Sequence, residues 1–140
     1  MATAAELMQQ MGEARAALQA AIAGAADRWE TVAEGEEWTP RQVAEHAIGA
    51  ERAFAGMMAP GVGQPTPSSI DLSLASAADA AAAFTTNEND CGSIIEALSD
   101  ENLSAAAPMP DGAPFDKSVE GVMQLSIYHY KDHAGQVSNA

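Results

Sequence analysis

Apolar residues return every three or four positions through most of the chain, and clusters of turn-forming residues interrupt them only a few times. Leu7, Met11, Leu18, Ile22, Ala25 and Trp29 keep this spacing and predict a first helix over about residues 3–30, with Gly24 weakening its last turns without ending them. The stretch "GEEWTPRQVAEHAIGAERAF" carries a strong helix start. Thr39 is a good N-cap, Pro40 takes the first helical position and Gln42 completes a Thr-x-x-Gln capping box. This second helix runs to about Met58, where "APGVGQPTPSS" stops it, and Val43, His46, Ala50, Ala53 and Phe54 or Met57 share one face.

Ser76 with Asp79 three residues on marks a third start. Ala80, Phe84, Cys91, Ile95 and Leu98 form the buried face of that helix, which ends near Ser99. After the turn-rich link "APMPDGAPFD", Asp116 or Ser118 caps a fourth helix carrying Val122, Leu125, Ile127, His129 and His133. Four amphipathic helices joined mostly by short links predict an all-α four-helix bundle, a single domain over residues 1–140 without internal repeats. The link over residues 59–75 is longer than most helix connections; it can cross the bundle end and let helices two and three run parallel.

Composition supports this picture. The 140 residues are 47% apolar, enough for one packed core, and alanine leads that fraction while aromatics are only 5%. Such a mixture favours close-packed helices over strands. Charge then narrows the function. Six basic against 20 acidic side chains leave a net charge of −14, a surface that repels phosphate backbones and anionic lipid. Nucleic-acid and membrane-surface roles are therefore not expected. One cysteine forms no internal disulfide, the N-terminal stretch does not read as a signal peptide, and no segment is apolar enough to span a bilayer. A soluble cytoplasmic protein is the expectation.

The candidate chemistry lies in three histidines. His129 and His133, in "YHYKDHAGQV", are four apart and project from one helix face, which alone is a weak metal signal. His46 strengthens it. It lies seven residues beyond Thr39, about 10 Å along its helix, and His133 lies seven residues before the chain end. If helices two and four are antiparallel, all three imidazoles share one level on apolar faces, and one metal ion would satisfy three nitrogens together. Among the neighbours, Glu45 and Asp132 are turned aside and read as solvated charges. Gln136 can hydrogen-bond within the site, and a hydroxyl of Tyr128 or Tyr130 can reach a substrate. Trp38 reads as a buried plug with a pocket wall as its second reading, and Cys91 as packing.

"WTPRQVAEHAIGAERAF" and "HYKDHAGQV" together resemble the paired motifs of the DinB/YfiT-like superfamily of metal-dependent enzymes: a Trp-Thr/Ser segment leading to a histidine, and a closing His-x-x-x-His-x-Gly-Gln element. The resemblance covers nearly the whole chain. It implies an up-down-down-up bundle with the long crossover between helices 2 and 3, and His46, His129 and His133 as ligands of one divalent transition ion, zinc or nickel. Three imidazoles leave an open coordination position, which suits a catalytic site. Two reactions follow: hydrolysis by an activated water, or transfer of a low-molecular-weight thiol such as bacillithiol or mycothiol to a small-molecule electrophile. The competing expectations are a non-catalytic metal- or small-ligand-binding protein, and a bundle that self-associates as a homodimer through alanine-rich faces and exposed methionines. The sequence does not name the substrate or the native metal.

Overall fold

The capping box at Thr39 forms as its spacing predicts. The Thr39 hydroxyl accepts from the Gln42 N–H at 3.1 Å, and the Gln42 side chain accepts from the Thr39 N–H at 2.8 Å. In the computed structural model, which describes residues 2–138, this opens helix α2 (Pro40–Met58). Thr3 caps α1 (Ala4–Gly24) and Ser76 caps α3 (Ala77–Glu96), each through its hydroxyl to the backbone N–H three residues on. Helix α4 (Val119–Ser138) is capped by Ser118, whose hydroxyl accepts from Gly121. Asp116, the other candidate, instead offers its carbonyl to the Ser118 N–H. Gly121 is required there, because a Cβ would stand 1.9 Å from that Asp116 carbonyl oxygen.

Contacts between helices settle their directions. Arg28, just past the end of α1, donates to the carbonyl of Val137 near the end of α4, so these two helices are parallel. Ala4, at the start of α1, donates to Asp100 beyond the end of α3, so that pair is antiparallel. Leu74, just before α3, donates its N–H to Glu45 near the start of α2, which makes α2 and α3 parallel. The order is up-down-down-up, an all-helical four-helix bundle. The link between α2 and α3 makes the crossing. It is held by Arg52, which donates to the Ser68 carbonyl, and by the Trp29 indole, which donates to the Leu74 carbonyl at 2.7 Å.

Several expectations change. Helix α1 stops at Gly24 rather than near residue 30, and a short 3-10 turn over Ala26–Arg28 follows. Glycine is a poor helix interior residue, and the tighter turn swings Trp29 onto the crossing link, where it stays buried. The core face of α2 is Val43, Ala44, Ala47, Ile48, Phe54, Ala55 and Met58; His46 and Ala53 are exposed. On α3 it is Ile94 that is fully buried, with Ile95 at the edge. The described methionines are buried or only partly exposed, Met8, Met57 and Met109 being the partly exposed ones. No described helix is long and apolar enough to cross a membrane.

Candidate metal centre

Antiparallel packing of α2 on α4 sets the first turns of one beside the last turns of the other, and this brings the three histidines together. Their nitrogens lie within 4.8 Å of one another. His129 Nε2 is 3.1 Å from His46 Nε2 and 3.0 Å from His133 Nε2. The three rings differ in access: His133 is buried, His129 half-buried and His46 exposed. His46 thus stands at the edge of the α2 core face rather than on it, and the cluster opens to solvent on the α2 side.

The donor set fits a cation better than it fits itself. The Nδ1 of His133 faces the Gln136 amide oxygen, a pure acceptor, so its proton sits on Nδ1 and Nε2 presents a lone pair. His129 Nε2 offers either one N–H or one in-plane lone pair, so it can complete a hydrogen bond with His133 or with His46 but not with both. One divalent ion among the three nitrogens would remove that conflict. The two separations near 3 Å come within a few tenths of an ångström of the roughly 3.3–3.4 Å between nitrogens that each lie about 2.0–2.1 Å from a tetrahedral zinc ion. Burial lowers the pKa of His129 to about 4, helped by its two imidazole neighbours. Burial and then His133 lower that of His46. Both rings are therefore kept in the neutral form that a metal requires.

The surroundings sort the remaining candidates. Trp38 is no buried plug: it is 39% exposed, edge-on to His46 at 5.2 Å and stacked along His133 at 6.3 Å, so it walls the open side. It precedes the N-cap and extends past the core, which keeps it from inserting. Glu45 is not simply solvated. Its carboxylate accepts from the Leu74 N–H at 2.8 Å and from Arg41 at 3.2 Å, fastening the crossing link to α2. Asp132 and Tyr128 are exposed, the former as expected. Tyr130 is buried and gives its hydroxyl to Glu51. Burial and the Glu51 carboxylate both push its pKa well up. Cys91 is packed away from the histidines, and burial raises its thiol pKa.

Phe54, which the helix pattern set with Met57 as alternatives on the face of His46, packs edge-on to His129 at 5.2 Å and backs the site. One feature had no place in the sequence reading. A polar cluster, centred on Glu51, also lies inside the bundle. Glu51 accepts from Arg15, Asn87 and Tyr130, while Arg52 donates to Asn87 and Asp90. The signal for it existed: Arg15 falls between Met11 and Leu18, and Glu51 between Ile48 and Ala55, in the register of the buried stripes.

Among curated proteins and solved structures, none matches the chain. The model of the DinB superfamily, however, matches residues 10–137. With that match spanning all four helices and the three histidines, the chain belongs to the DinB superfamily.

Proposed function

We propose that His46, His129 and His133 hold one divalent transition ion, zinc or nickel, and that the protein is a metal-dependent enzyme acting on a small molecule. The reaction is transfer of a low-molecular-weight thiol or hydrolysis. The observation that carries this reading is the convergence of three Nε2 atoms at one level with only the His46 side open. Among the described residues no carboxylate or thiol joins them to close the set. A bound ion would supply Lewis acidity, lowering the pKa of a coordinated water or thiol toward neutrality.

The chain's own groups divide the remaining work. Gln136 fixes the His133 ring and its tautomer, a supporting role that ligating histidines regularly need. Phe54 excludes water beneath His129, and Trp38 offers an aromatic face beside the opening, where a substrate can lie. Glu45 is committed to the crossing link and Glu51 to Arg15 and Tyr130, which favours reactants that bring their own ionisable proton, as a thiol or a water does.

Purified protein should retain about one divalent ion per chain after dialysis, and His46→Ala and His129→Ala should each lose it. Metal-loaded protein is then screened with small electrophiles with and without low-molecular-weight thiols. Turnover that vanishes in the histidine variants supports an enzyme. Stoichiometric binding without turnover returns the protein to a non-catalytic binder, and full metal retention by His46→Ala removes the shared site altogether.

A further inference from the structure

A cavity of about 300 Å³ lies between α1 and α3 and reaches into the bundle, with no histidine in its walls. That volume is at the lower end of the range of small-molecule pockets, roughly 300–1,000 Å³. Helix α1 packs far less closely on α3 than on α4, and the cavity occupies the gap. Its deep walls are apolar and soft: Met11, Phe54, Met58 and the Cys91 thiol. Phe54 is shared with the histidine site, its ring standing between the cavity and His129.

The mouth has a peculiarity. Gly12 on α1 and Gly92 on α3 both line it, and a Cβ on either would meet nothing within 4 Å. Neither has a positive φ, so no backbone conformation calls for glycine. Glycine weakens a helix interior relative to alanine, and close packing, the usual compensation, is absent at both positions. What the two share is the clear path into the cavity.

Charge states what can enter. The lining holds three carboxylates, Glu51, Glu88 and Glu96, against the single guanidinium of Arg15. Arg15 is already engaged by Glu51, Glu88 and the Phe84 carbonyl, so it has little left for an anion. Glu96, and Glu88 although it pairs with Arg15, are exposed at the rim, and three carboxylates against one guanidinium leave the lining with two net negative charges. An acidic rim over an apolar interior suits a positively charged head outside and a hydrocarbon tail within. We propose that this cavity is a second binding site, distinct from the histidine cluster, for a small hydrophobic amine, and that Gly12 and Gly92 keep its entrance open.

The test uses N-phenyl-1-naphthylamine, a neutral fluorescent probe, displaced by nonylamine or nonanoate, two chains of equal length and opposite charge. Nonylamine should displace the probe at a concentration at least tenfold lower than nonanoate; equal or reversed potency overturns the proposal. A Gly12→Leu/Gly92→Leu variant that keeps its helical circular dichroism should lose probe affinity at least tenfold, and unchanged affinity overturns it. Should that variant fail to fold, the unaltered protein still decides: saturating nonylamine should slow N-ethylmaleimide modification of Cys91 at least fivefold, and an unchanged rate overturns the site. Metal content, measured on the same samples, reads only on the histidine cluster, so the two proposals fail separately.

Discussion

His46 and Glu51 stand five residues apart on α2, yet their surroundings follow opposite rules. Around Glu51 donors and acceptors match: Arg15, Asn87 and Tyr130 all donate to one carboxylate, and Arg52 donates onward to Asn87 and Asp90. Around His46 the facing atoms are all of one kind, imidazole nitrogens, and no assignment of protons satisfies both contacts. The first cluster is complete within the chain. The second has contacts left unmet, which a cation from outside would complete. Most buried polar groups are satisfied, so the hydrogen-bond inventory helps to separate a structural network from a binding site without reference to position in the fold.

The largest effect that could break this contrast is on metal content. His129→Ala should take the bound ion from about one per chain to none by elemental analysis, whereas Glu51→Leu should leave it near one. Loss of metal from the Glu51 variant would show that the two clusters are coupled rather than independent.

Stability should divide the opposite way. Glu51→Leu leaves Arg15 and Tyr130 without their main acceptor, and a loss of about 2–3 kcal/mol is expected in urea unfolding. Arg15 retains Glu88, which keeps the effect below that of a fully orphaned charge. His46→Ala in metal-free protein should move the same midpoint little, since that ring is exposed.

A smaller effect sharpens the role of Gln136. Gln136→Leu removes the acceptor that orients His133 and should weaken metal affinity about tenfold, in the range found for outer partners of ligating histidines. A competition titration with a chromophoric chelator measures it, and an unchanged affinity would remove Gln136 from the site.

The smallest effect is on the pH dependence of the metal-free protein. His129 has its folded pKa lowered to about 4 against 6.5 in the unfolded chain, so between these values the unfolded state binds more protons. Stability should therefore be full above about pH 6.5 and fall as the pH drops toward 4. His129→Gln should flatten this part of the melting-temperature profile, while Glu51→Leu should leave its slope in place.

Much of this was legible in the residues. Caps state their purpose locally: Thr39, Pro40 and Gln42 need only three residues of neighbouring backbone, so the start of α2 could be placed directly. The histidine spacing likewise follows from helix geometry, and the depth argument needed only an antiparallel partner. What periodicity could not set was the rotation of each helix. A shift of one position moved the α2 core face from His46 to Ala47 and from Ala53 to Phe54, and the α3 face from Ile95 to Ile94. On alanine-rich helices the apolar stripe is broad, and the packing partner decides which edge is covered. Trp38 and Glu45 were misplaced for the same reason, since their surroundings come from elements distant in the chain.

The sequence by itself determined the helices, their number, the long link and the three histidines that belong together, because capping and hydrophobic period act over a few residues. Only the tertiary structure decided that His46 faces solvent while His133 is buried, and that Arg15, Glu51 and Tyr130 meet inside the bundle. Each of these rests on the relative rotation and separation of two helices. Those quantities come from side chains packing across the whole chain, and no local stretch contains them.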